Sequence, residues 1–145
     1  MSHTAQDRSQ QLLKVTRRLA RDVESLVFAP PVAHVYNPAR YALKPYEMYL
    51  KRFAGTRKKA IFQGMNPGPW GMAQTGIPFG EVTAVRDWMG IEAKVGRPEK
   101  CHPRRPVLGF DVKRKEVSGR RFWGLMQDRF STASHPRRPG CRRVP

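Results

Sequence analysis

Acidic residues are scarce in this chain. It has 145 residues, and only 11 are Asp or Glu against 28 Lys and Arg. The formal net charge is +17 and the sequence pI is about 11.1. A surface with that balance repels basic partners and attracts polyanions, most simply nucleic acid through its phosphates. Charge of this kind carries no sequence preference and no chemistry. Cysteine is also rare, with only Cys101 and Cys141. Two thiols cannot hold a four-thiolate iron–sulfur cluster or build a disulfide framework. Cys101-His102 with His135 and Cys141 fits no compact zinc spacing. Hydrophobic content is 39%, and no apolar run approaches the length of about 18 residues that a membrane span needs. The N-terminus, MSHTAQDRSQQ, has no apolar signal-peptide core, which predicts an intracellular protein.

Glycine and proline concentrate in one place. The stretch from Gly64 to Gly80 holds five glycines and three prolines. It follows a short apolar run at Ala60 to Gln63, which length and flanks predict as a buried strand. It precedes a helical pattern from Glu81 to Met89, with Val82, Val85 and Met89 on the inner side. A loop this long in a small domain is usually functional or disordered, and this one is too stiff and apolar for disorder. It lacks the Gly-Lys-Ser/Thr ending of a Walker loop. Asn66 at its start can accept a proton of a water and aim the oxygen at an electrophile. The same Asn66-Pro67 pair also reads as a plain turn initiator. Phe79 at its end can stack on a flat base or simply anchor the helix entry. Trp70 and Met72 can wall the same pocket or simply pack, and Gly64, Gly68 and Gly71 would let backbone approach a ligand.

Three further helices are expected. Ser9 to Val27 repeats Leu12, Val15, Leu19, Val23 and Leu26 at helical spacing, and Pro30-Pro31 stops it. Val32 to Tyr41 reads as extended. Pro45 to Phe53 places Tyr46, Tyr49, Leu50 and Phe53 on one face. Ser118 reads as the cap of a helix running to Phe130, with Phe122, Leu125, Met126 and Phe130 buried. Glu81 suits a helix N-terminus and Gly90 a left-handed cap. From Ser131 to Pro145 periodicity stops: four arginines, three prolines and no acid predict a disordered basic tail.

The run GMNPGPWGMAQTGIPFGE closely resembles the signature loop of the single-strand-selective monofunctional uracil-DNA glycosylases, within the uracil-DNA glycosylase superfamily. VYNPARYALKPYEMYL, VRDWMGI, HPRRPVLGF and EVSGRRFWGLM extend the resemblance over roughly residues 10–130. It implies an α/β fold, the N-terminal portion of a three-layer α/β/α arrangement with an incomplete sheet. It implies excision of uracil and 5-hydroxymethyluracil from single- or double-stranded DNA, with the nucleotide flipped into a pocket. By the same resemblance Asn66 positions the hydrolytic water and Phe79 stacks on uracil. Met65 and Gly68 line the pocket with backbone, and Met72 with its side chain. No metal, no cofactor and no lyase lysine are implied, and DNA is the partner of a monomer.

The resemblance stops near Phe130. Nothing beyond it matches the family's second Asn-bearing strand, its His-Pro-Ser-Pro-type loop or its DNA wedge. His135-Pro136 is followed by Arg137-Arg138 and is not assigned the His role. The expectation is therefore a partial domain over 1–130 and a tail over 131–145 of frameshifted character. Activity would be impaired, and folding poor because an open sheet edge aggregates. The alternative is a catalytically inactive, basic DNA-binding fragment. Either would act on chromosomal DNA, in the cytoplasm, or in the nucleus if the source is eukaryotic.

Overall fold

The computed structural model describes residues 3–130. The expected tail over 131–145 lies outside the described residues. Among the described residues five α-helices carry the fold: α1 (His3–Glu24), α2 (Pro38–Tyr41), α3 (Leu43–Phe53), α4 (Met72–Thr75) and α5 (Val117–Phe130). A π-helical turn spans Ala84–Trp88 and a 3₁₀ turn spans Gly109–Asp111.

The expected sheet is not there. Among the described residues there is no strand, and Ala60 to Gln63 is irregular. Ile61 is 92% exposed and Phe62 59% exposed. The α/β expectation is thereby corrected: the described chain is helical. The physical reason is that a strand exists only through a neighbour's N–H and C=O groups. A four-residue apolar run holds no information about whether that neighbour is present.

The helices pack in a chain of contacts. α1 lies on α2 and α3, α2 touches α4, α4 touches the 3₁₀ turn, and α5 touches the π turn. The core is Ile77, Val82, Val85, Met89, Ile91, Phe110 and Val112, ringed by Tyr49, Phe53, Trp70, Trp88 and Trp123. Val82, Val85 and Met89 thus form the expected inner stripe. Their helix opens into a π turn, where the Met89 N–H donates to the Ala84 carbonyl at 3.0 Å. Gly90 takes the expected left-handed conformation, φ +61°.

α1 presents a different face than periodicity suggests. Its buried positions are Ser9, Leu13 and Ala20, while Leu12, Val15 and Leu19 are exposed. Small side chains at Ser9 and Ala20 let the neighbouring helices approach closely. The sum of apolar side chains along a helix does not decide which stripe docks. Asn37 ties the junction: its Nδ2 donates to the Ala20 carbonyl (2.8 Å) and to Glu24 Oε2 (2.9 Å). α3 follows expectation, with Leu50 buried and Tyr49 and Phe53 on the core. α5 follows it in part: Leu125 and Phe130 are exposed, and Gly119 and Gln127 are buried instead. No described helix is long and apolar enough to cross a membrane.

Candidate active site

The loop from Gly68 to Gly80 is tied at almost every residue. The Ala73 N–H donates to the Gly68 carbonyl at 3.0 Å and the Gln74 N–H to Gly71 at 2.9 Å. Gly76 ends α4 at φ +73°. A Cβ there would lie 2.6 Å from the Ala42 carbonyl oxygen, so only glycine serves. Thr75, fully buried, bridges Gly71 and Gly80 through its hydroxyl.

Gln74 is the central tie. It is fully buried and satisfies every hydrogen-bonding site of its amide. Its Nε2 donates to the Pro69 (2.8 Å) and Pro106 (3.0 Å) carbonyls. Its Oε1 accepts from the Leu108 (2.8 Å) and Gly109 (3.0 Å) N–H groups. One side chain therefore locks the loop to the segment leading into the 3₁₀ turn. Tyr41 adds a second lock, donating its hydroxyl proton to the Ala73 carbonyl at 2.6 Å. Burial, then nearby Tyr36 and Cys101, push the Tyr41 phenol well above its ordinary range, so it stays a donor.

This tied loop walls a cavity of about 720 Å³. All five residues singled out in the sequence lie on it: Met65, Asn66, Gly68, Met72 and Phe79. They differ in how firmly they are held. Met72 and Phe79 are half-buried, whereas Met65 is 98% exposed and Asn66 is exposed. The Asn66 Nδ2 makes one long bond, 3.4 Å, to the Pro67 carbonyl. That leaves the Oδ1 able to accept a water proton.

Phe79 stands out for its backbone. Among the described residues it is the non-glycine with positive φ, +54°. A bulky residue held there costs about 1–3 kcal/mol, which surrounding contacts must offset. Its carbonyl accepts from the Glu81 N–H (2.7 Å) and from the Trp123 indole N–H (2.9 Å). Its ring stacks on Phe122 at 4.5 Å between centroids.

Glu116 is a wall residue that the sequence reading missed. It lines the same cavity, and its Oε2 accepts the Trp70 N–H at 3.2 Å. A Cβ on Gly68 would sit 2.5 Å from that oxygen, and one on Gly71 2.8 Å from the Glu116 Cγ. A side chain on either loop glycine would push against the Glu116 side chain that lies along the loop. The available signal was position: an acid directly before the first residue of α5, which starts at Val117 and so holds Ser118 inside the helix and not at the expected cap. Arg114 lies nearby, its guanidinium 4.8 Å from the Trp70 ring centroid. Across the helix entry, Glu81 is buried and accepts the Ala84 N–H at 2.9 Å. Lys115 pairs with it at 3.3 Å. Burial raises the Glu81 carboxyl, but the Ala84 N–H and Lys115 outweigh it, and the net shift is downward.

No group of three or more His, Cys, Asp or Glu that could hold a metal occurs among the described residues. Cys101 is half-buried and free. His135 and Cys141 lie outside the described residues.

Comparison with known proteins supplies what geometry does not. The chain is 46% identical over 127 residues to the rat single-strand selective monofunctional uracil-DNA glycosylase. It is 50% identical over 110 residues to the mouse protein of that name and 50% identical over 111 residues to the bovine one. The chain is a homologue of the single-strand selective monofunctional uracil-DNA glycosylases. The matches cover 88%, 76% and 77% of this chain but only 46%, 39% and 41% of the relatives. The chain therefore spans less than half the length of these curated relatives. No family model matches it.

Proposed function

We propose that this chain carries the water-positioning and base-stacking part of a uracil-DNA glycosylase. It would flip uracil, or 5-hydroxymethyluracil, out of single- or double-stranded DNA and excise it by hydrolysis. The observation that supports this best is that one cavity gathers Asn66, Phe79, Met72, Met65 and Gly68. The names of the homologues point the same way. Stacking on Phe79 would hold the extruded base, at about 1–3 kcal/mol for such a contact. The bond from the sugar C1′ to uracil N1 breaks with its electron pair leaving on the base, where it is delocalised. Asn66 accepts a hydrogen bond from a water and aims its oxygen at the electron-poor C1′, and the proton in that bond stays on the oxygen. The C1′–O bond forms and the other water proton goes to solvent. An amide suffices because the leaving base needs little push. No metal or cofactor enters this scheme.

The chain would act as a monomer on chromosomal DNA, in the cytoplasm or, in a eukaryote, the nucleus. Its excess of 17 positive charges supplies the sequence-independent grip on phosphates. The exposure of Asn66 and Met65 leaves the water site open to solvent on one side. Excision by the 145 residues alone is therefore proposed to be slow. The test is release of uracil from a single-stranded oligonucleotide by the full chain. Asn66→Ala is expected to lower the rate by about 10²–10³, the scale of losing one well-placed polar group. Release that Asn66→Ala leaves unchanged would refute the assignment.

A second reading rests on the same exposure together with the charge: a non-catalytic basic DNA binder. It requires salt-sensitive binding that is indifferent to uracil. A preference for uracil-containing over matched thymine DNA excludes it.

A further inference from the structure

We infer that a stripe on α5, formed by Gly119, Phe122 and Trp123, is a brace that sets the ring of Phe79 as the base-stacking wall. This rests on the glycosylase reading above. The three positions follow helical spacing of three and four, so they share one face of α5. Each meets a different part of Phe79. Phe122 stacks on its ring, with an interplanar angle of 22° and 4.5 Å between centroids. The Trp123 indole N–H donates to its carbonyl oxygen at 2.9 Å. At Gly119 any Cβ would run into that same carbonyl oxygen and lie 3.0 Å from the Glu81 Cβ. Glycine is therefore what lets α5 come close enough for its neighbours to reach.

The arrangement has a direction. Phe79 is on the cavity wall and Phe122 is not, so Phe122 backs the ring from behind. Phe62 meets Phe122 edge-on at 5.1 Å and closes the aromatic group. The backbone of Phe79 sits at φ +54°, where an L-residue does not rest unaided. The Glu81 N–H holds the carbonyl from within the loop, and Trp123 holds it from α5. A ring fixed before the base arrives loses no rotamer freedom on stacking, which is the benefit of preorganisation. Phe122 and Trp123 thus act through Phe79 and are positioning residues.

The test is a double-mutant cycle on the full chain. Trp123→Phe keeps an aromatic ring but removes the N–H together with part of the indole's packing on the core; Phe122→Leu removes the stack. Each is made alone and with Phe79→Ala. The readout is the ratio of dissociation constants for single-stranded oligonucleotides carrying one 2′-fluoro-2′-deoxyuridine or one thymidine. The fluorine disfavours positive charge at C1′ and so blocks cleavage. Each brace variant is expected to reduce the preference for uracil at least threefold with Phe79 present, and not to change it further in the Phe79→Ala background. Circular dichroism checks that each variant is folded, and if one is not, the other decides. Equal losses in both backgrounds, or none with Phe79 present, overturn the brace while a wild-type preference for uracil still stands. A wild type with no preference overturns the glycosylase reading instead, and the brace's purpose with it.

Discussion

Replacing Gln74 by leucine removes four hydrogen bonds at once while nearly preserving side-chain volume. The wild-type amide donates to Pro69 and Pro106 and accepts from Leu108 and Gly109. Leucine leaves two carbonyls and two N–H groups facing an apolar branch. A net value of about 1 kcal/mol per bond gives a loss of about 4 kcal/mol. The side chain is fully buried, so water cannot restore the bonds without opening the loop. For a domain with a total stability of about 5–15 kcal/mol this is a large share. The assay is urea unfolding of the full chain followed by circular dichroism. With a slope of about 1–3 kcal/mol per molar urea, the midpoint is expected to fall by about 1.3–4 M at unchanged slope. Gln74→Glu tests the polarity of the tie. Its second carboxylate oxygen would face two carbonyls, so it should be no better than leucine above the carboxylate range and partly recover when protonated. A loss below about 1 kcal/mol for Gln74→Leu would show that the loop does not depend on this residue.

Two other changes probe the frame of the site. Gly76→Ala places a Cβ against buried Ala42 at φ +73°, and should cost about 2 kcal/mol or more in urea unfolding; a neutral result would mean that the left-handed cap is not strained by a side chain. Glu81 has a lowered carboxyl pKa in the folded chain, so the unfolded chain takes up its proton more readily. Its contribution is therefore fully present above the ordinary carboxylate range and is lost as pH falls through the lower folded value. Urea midpoints measured from neutral pH downward should show that slope, and Glu81→Gln should flatten it; an identical slope in the variant refutes the assignment.

Local chemistry was legible in the residues. The stiffness of the Gly64 to Gly80 stretch, the amide at its start and the aromatic at its end all read from composition and order. So did the buried stripe of Val82, Val85 and Met89, and the cap at Gly90, because helical period and φ preference are properties of adjacent residues. The charge that directs the chain toward a polyanion is a plain sum over the sequence.

Tertiary structure decided everything that depends on which segment lies beside which. Ala60 to Gln63 reads as a strand, but a strand needs a partner and, among the described residues, none pairs with it. Leu12, Val15 and Leu19 looked like the inner face of α1, but docking chose the narrower stripe of Ser9, Leu13 and Ala20. Gln74 reads as an unremarkable polar residue in a loop; three of its four partners lie 32 to 35 residues further along the chain, and the fourth, Pro69, lies in the loop itself. Glu116, Phe122 and Trp123 are distant in sequence from the loop that they support. Their roles arise only when α5 folds back on it, since hydrogen bonds and ring stacking act over a few ångströms of space, whatever the spacing along the chain.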